Sequence, residues 1–146
     1  VRQQTAAAIA AGATPHIAKM DADDGGAYVT PQPLTDVTHA MEVMREESFG
    51  PVVGVMKVSG DDEAVALMND SRYGLTASLW TPDLDRAARL GDRIETGTVF
   101  LNRADYLDPG LCWTGVKDTG RGGGLSVIGY HNLTRPKSYH LKKVTS

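Results

Sequence analysis

Cysteine is nearly absent. The single Cys112 in 146 residues excludes an internal disulfide framework and fits a reducing compartment. Excess charge is missing too: a net charge of -3 gives no electrostatic ground to expect nucleic acid or an anionic membrane as partner. No stretch approaches the roughly 20 apolar residues that span a bilayer, and no basic-then-apolar leader opens the chain, so the expected location is cytoplasmic. His16, His39, His131 and His140 stand at spacings that make no ligand pair, and no metal site is expected. Gly120-Arg121-Gly122-Gly123-Gly124 lacks the Lys-Ser/Thr of a P-loop, and no suitable strand-helix unit follows its glycines. It reads as a flexible turn rather than a phosphate cradle. No internal repeat or low-complexity tract is present.

What remains is an ordinary globular composition, 41% hydrophobic and 23% charged, at a length suited to one domain. The chain opens in mid-pattern on the Ala-rich stretch Val1–Gly12, predicted to be a helix closed at Gly12 by a left-handed cap, with no start signal before it. It reads as a piece of something larger. Thr14–Met20 is short and mixed, Asp21–Gly26 is a loop, and Ala27-Tyr28-Val29-Thr30 has strand character. Pro31 and Pro33 argue against a central strand here.

From Val52 the pattern becomes regular. Val52–Val58 is a continuous apolar run of the kind found in a parallel strand covered on both faces. Behind Asp61-Asp62-Glu63, whose acids suit the positive end of a helix, Ala64, Val65, Leu67 and Met68 recur at helical spacing, and Gly74 is expected to end that helix. Leu75–Trp80 is a second strand. Thr81-Pro82-Asp83 supplies a helix start, and Leu84, Ala87, Leu90, Gly91 and Ile94 line one face before Gly97 closes it. Thr98–Leu101 is a third strand. This order predicts an α/β fold with a three-stranded parallel sheet core and crossover helices. Ligands of such sheets sit beyond the carboxyl ends of the strands, which directs attention to the Gly-rich segment Asn102–Gly124. A short helical turn is expected within Tyr130–Pro136, and Lys137–Val144 alternates like an edge strand.

Four ordered motifs carry a resemblance. Glu47-Ser48-Phe49-Gly50-Pro51 is similar to the Glu-x-Phe-Gly-Pro signature of the aldehyde dehydrogenase superfamily. Asn69–Leu75 is similar to its Asn-x-x-x-Tyr-Gly-Leu element, and Gly97-Thr98-Val99 with Asn102 to its Gly-x-Val-x-x-Asn strand. Trp113–Gly120 resembles its aromatic-Gly-Gly-x-Lys-x-Ser-Gly loop. The chain thus looks like the last third of an NAD(P)-dependent aldehyde dehydrogenase of a divergent branch. Residues 1–137 would be the C-terminal portion of the catalytic domain, and 138–146 an oligomerisation arm.

The resemblance implies that Glu47 and Phe49 hold the nicotinamide half of NAD or NADP. The residue chemistry agrees: a carboxylate accepts hydrogen bonds from both ribose hydroxyls, and a flat apolar ring covers a nicotinamide face. Standing alone, the Glu-Glu pair would read as a solvated turn and the Phe as core. Trp113 and Leu107 would line the substrate entrance, although Trp113 equally suits a loop aromatic capping the core.

The implied chemistry is attack of a cysteine thiolate on an aldehyde, hydride transfer to NAD(P)+, and hydrolysis of the thioester by water that a glutamate activates. The resemblance implies that this nucleophile and base would lie upstream of the Glu-x-Phe-Gly-Pro element, before Val1. Cys112, flanked by Leu111 and Trp113 with no basic neighbour, reads as an inert thiol. Four departures stand out: Thr114 for the first glycine of the pair, Thr119 for the serine, Gly124 where many members place a glutamate that assists proton transfer, and Arg135 where many have an acid. The expected partners are an aldehyde, the rest of the dehydrogenase chain and further copies of it in a homo-oligomer. The rival expectation is a non-catalytic chain acting through the arm as an interaction module.

Overall fold

An Ala-rich stretch without proline or glycine forms α1 (Arg2–Ala10), as predicted, and Gly12 turns the chain out of it at φ 105°, a conformation open to glycine. The computed structural model describes residues 1–18 and 26–144, so the expected loop at Asp21–Gly26 lies outside the described residues but for its last glycine. The chain divides into two compact units, Val1–Ser71 and Arg72–Ser146.

In the first unit, α1 is followed by β1 (Thr14–Pro15), β2 (Gln32–Thr35), the short α2 (Glu42–Arg45), β3 (Val52–Gly54) and α3 (Asp61–Asn69). β2 is the central strand of a three-stranded sheet, antiparallel to β1 and parallel to β3. The prolines argued otherwise, and the ladder explains why they are tolerated. Gln32 N–H donates to the Pro51 carbonyl at 2.8 Å and the Leu34 carbonyl accepts from Val55 N–H at 2.8 Å, both toward β3. The Pro33 carbonyl faces β1, where it accepts from His16 N–H at 3.2 Å. Its missing N–H therefore falls on the side where the ladder is only two residues long. The strand expected at Ala27–Thr30 does not form. Instead the Gly26 and Tyr28 carbonyls are taken by the Arg2 guanidinium, at 2.7 and 2.5 Å, and the Tyr28 side chain is exposed.

Leu34 is fully buried in a cluster with Ala8, Ala13 and Val37, against which Met41, Met44, Val52 and Met56 pack. Gln32 is buried as well, and all its polar atoms are used. Its Oε1 accepts from the N–H groups of His16 and Ile17, and its Nε2 donates to the Ile17 carbonyl, which serves the backbone beyond the end of β1. Beyond β2, only Val52–Gly54 of the expected strand Val52–Val58 is laddered, and exposure alternates along it. Val53 and Val55 are more than half exposed, so one face is open where both were expected to be covered. In α3 the three acids occupy the first turn as expected. Glu63 accepts from the Ser59 hydroxyl and N–H at 2.5 and 2.6 Å, which holds its carboxyl below the ordinary value.

The second unit runs β4 (Tyr73–Gly74), β5 (Thr76–Leu79), α4 (Leu84–Gly91), β6 (Thr98–Leu101), β7 (Trp113–Thr114), β8 (Val116–Lys117), β9 (Gly123–Gly124) and α5 (Ser126–Leu133). β5, α4 and β6 form the expected parallel strand-helix-strand unit, in register from Thr76 opposite Thr98 to Leu79 opposite Leu101. Asp83 caps α4, its carboxylate accepting from Arg86 N–H at 2.8 Å. The α/β class thus holds. The single three-stranded parallel sheet is replaced by two parallel pairs, β2 with β3 and β5 with β6, in separate sheets. Apolar periodicity reports a buried strand without naming its neighbour.

Two glycines expected to end helices do something else. α3 ends at Asn69 and α4 at Gly91. Gly74 lies in β4, antiparallel to β8, and a Cβ there would overlap the Glu95 carbonyl and Val116. Gly97 N–H donates to the Gly74 carbonyl at 3.2 Å, and a Cβ on Gly97 would overlap the Thr114 carbonyl. Both are glycine because another backbone passes against them. Asn102–Gly124 is less irregular than expected, since it holds β7, β8 and β9, with β7 antiparallel to β9. α5 starts at Ser126, earlier than the turn expected from Tyr130. Residues 134–144 follow it exposed and outside any ladder among the described residues, so the edge strand expected over Lys137–Val144 has no neighbouring strand here.

Gly97→Ala should therefore cost about 3 kcal/mol or more, because the added carbon meets backbone that cannot rotate away. Gly124→Ala, with open space around it and an ordinary φ, should stay within about 0.5 kcal/mol. Denaturant unfolding of the two variants checks the contrast.

Candidate functional site

Glu47 and Phe49 sit in the loop between α2 and β3, and both ends of that loop are tied. Glu46 N–H bonds back to the Glu42 carbonyl at 2.9 Å, while the Pro51 carbonyl is held by Gln32 of β2. Gly50 between them has no room for a side chain, since a Cβ would overlap Val1. Phe49 adopts φ 42°, a left-handed conformation that costs a bulky residue energy, and its ring is 88% exposed. Among the described residues of this unit nothing covers the ring. Glu47 is also exposed, and its carboxylate has no partner among the described residues. The loop thus presents a free carboxylate and a bare ring from a fixed backbone, a set that fits a sugar diol and a flat heterocycle.

Trp113 and Leu107 belong to the second unit. Trp113 is half-buried in β7, opposite Gly124 of β9, whereas Leu107 is exposed in the loop after β6. Next to Leu107, the Arg103 guanidinium lies 4.2 Å from the centroid of the Tyr106 ring. Asn102 starts that loop at φ 53°, its side chain accepting from Thr81 N–H and donating to the Thr81 carbonyl, both at 2.9 Å. This pair ties the ends of β5 and β6 together. Thr119 Oγ1 accepts from Gly74 N–H at 2.7 Å, and Lys117 pairs with Glu95 at 2.8 Å. Among the described residues no group of His, Cys, Asp and Glu could hold a metal ion.

Residues 1–139 match the family described as the aldehyde dehydrogenase family. The chain belongs to that family. It is similar to the succinate-semialdehyde dehydrogenase [NADP(+)] of Deinococcus radiodurans, 42% identical over 137 residues, which cover 94% of this chain and 29% of that protein. Among solved structures it resembles the P. syringae indole-3-acetaldehyde dehydrogenase in complex with NAD+ and IAA, with TM-score 0.83 and 31% identity over 95% of this chain and 30% of that one. It also resembles a succinic semialdehyde dehydrogenase from Streptococcus pyogenes in complex with NADP+, with TM-score 0.80 and 32% identity over 88% of this chain and 28% of that one. The chain therefore spans less than a third of the length of these relatives.

Within this aldehyde dehydrogenase segment, the departures noted in the sequence have different structural standing. A Cβ on Gly124 would meet nothing, and Arg135 is exposed. Thr119 keeps the hydroxyl of the serine it replaces and uses it on Gly74. Thr114 is half-buried in β7, and its hydroxyl donates to the Gly122 carbonyl at 2.7 Å. Cys112 stands half-buried beside Gly123, where a Cβ would come within 2.9 Å of its Sγ. Sequence reasoning assigned nothing to Gln32, Asn132 or the Thr114 hydroxyl. Each acts by bonding a distant backbone group, and a lone polar residue carries no signal of such a partner.

Proposed function

We propose that this chain is the C-terminal part of an NAD(P)-dependent aldehyde dehydrogenase that oxidises an aldehyde to a carboxylic acid. The observation that supports the reading most is the exposed Glu47-Phe49 pair on a loop tied at both ends, within a family match over residues 1–139. Glu47 would accept hydrogen bonds from the ribose diol and Phe49 would cover the nicotinamide, holding it at a fixed angle. Bound NAD(P)+ supplies the hydride acceptor, and water supplies the second oxygen of the acid. Trp113, with Leu107, would form part of the substrate entrance and keep water from the aldehyde. The nucleophile and the general base lie outside this segment in this reading, and the expected location is the cytoplasm.

The exposed side chains Val127, Tyr130 and Leu133 of α5 give that helix an open apolar surface. In the tail, Tyr139, Leu141 and Val144 are exposed as well. In this reading the arm from Ser138 adds a strand to a sheet edge of another subunit.

Three outcomes follow from this reading. The 146-residue chain alone should produce no NAD(P)H from aliphatic or aromatic aldehydes; turnover that depends on Cys112 would refute the assignment of the nucleophile elsewhere. In the intact enzyme, Glu47→Gln should lower cofactor affinity or rate roughly ten- to hundredfold with little change in melting temperature, because a hydrogen bond to a charged group contributes about 1.5–3 kcal/mol. Steady-state kinetics with varied NAD(P)+ measures it, and unchanged constants would return Glu47 to a solvated turn. Deleting residues 138–146 should lower the oligomer mass in sedimentation, and an unaltered mass would make the arm a loose tail.

A further inference from the structure

The Gly122–Gly124 run is held by side chains rather than by its own preferences. Gly120 and Gly122 adopt φ 122° and 101°, and an unrestrained glycine run loses more entropy on ordering than any other sequence. Two side chains offset that cost. Thr114 Oγ1 donates to the Gly122 carbonyl at 2.7 Å, and Asn132 Nδ2, from α5, donates to the Gly123 carbonyl at 2.7 Å. Consecutive carbonyls are thus fixed from opposite sides of the chain in sequence, one from β7 and one from α5. The ladder then joins this run to the candidate substrate wall, because Thr114 pairs with Gly123 and Trp113 with Gly124. Cys112 closes against Gly123 from the same stretch. The ladder sets the backbone from which the Trp113 ring is presented, since the bare Gly124 opposite it adds no side chain of its own.

We propose that Thr114 is a positioning residue for substrate selection: its hydroxyl latches the Gly122–Gly124 strand, and that strand fixes Trp113 at the aldehyde entrance. The inference rests on the reading of Trp113 as part of that entrance. A glycine at this place, as aldehyde dehydrogenases usually have, could not form the latch, so the device belongs to this chain's own departure.

The test uses the intact enzyme with Thr114→Val, which keeps the shape and removes the donor, beside Thr114→Ser, which keeps the donor. Thr114→Val should raise KM for a bulky aldehyde about two- to tenfold, the range expected for one lost hydrogen bond, while kcat and KM for NAD(P)+ stay unchanged. Amide exchange in residues 120–125 should accelerate by a similar factor. Thr114→Ser should restore both, and in a Trp113→Ala background Thr114→Val should have no further effect on KM. If Thr114→Val fails to fold, Thr114→Gly carries the same expectations. Exchange and KM equal to the parent in the Val or Gly variant would overturn the latch. So would parallel losses in kcat, KM and melting temperature that Ser does not rescue. An enzyme inert toward every aldehyde would instead refute the proposed function, with exchange at Gly122–Gly124 still deciding on the latch.

Discussion

The second unit depends on backbone passing against backbone where no side chain intervenes. Gly97 sits against the Thr114 carbonyl and Gly74 against the Glu95 carbonyl, and a hydrogen bond from Gly97 to Gly74 joins the two positions. Any Cβ at either place would force the Trp113–Thr119 loop away from β5 and β6. Around that close approach the polar side chains fall into place: Thr119 on Gly74, Lys117 on Glu95 and Thr114 on Gly122. The parallel pair β5 and β6 supplies the platform, and Asn102 fastens its far end to Thr81. The loop is thereby held by many weak ties besides the two glycine contacts.

The first unit ties the backbone that carries two exposed side chains. A bare phenylalanine in a left-handed conformation is costly in itself, and a free loop would relax it into cover. It persists because the Pro51 carbonyl is committed to Gln32 and Gly50 is pressed on Val1. Buried Leu34 anchors β2 beneath, so the cost of the strained loop is met by packing several residues away.

Legibility in the sequence followed the range of the interaction. The α4 cap at Asp83, the acidic entry to α3 and the β5–α4–β6 unit were readable because propensity, capping and apolar spacing act within a few residues. The Phe-Gly-Pro and Trp-Thr-Gly motifs located the candidate site for the same reason, being contiguous. Gly74 and Gly97 each follow an apolar helix face, the usual place of a helix-ending glycine. Their real reason, a carbonyl from a segment about 20 residues away, has no local trace. Pro33 follows the same rule, since a proline is excluded from a central strand only if its own N–H side is fully laddered.

By itself, then, the amino-acid order determined the α/β class, the starts of α3 and α4, the family motifs and the identity of Glu47, Phe49, Trp113 and Leu107 as the groups to examine. Only the tertiary structure decided which strands are neighbours, that Phe49 stands bare, and that the Thr114 hydroxyl reaches Gly122. The physical reason is that hydrogen-bond donors and close-packed surfaces are indifferent to sequence distance. Their partners exist only once the chain has brought remote backbone within reach.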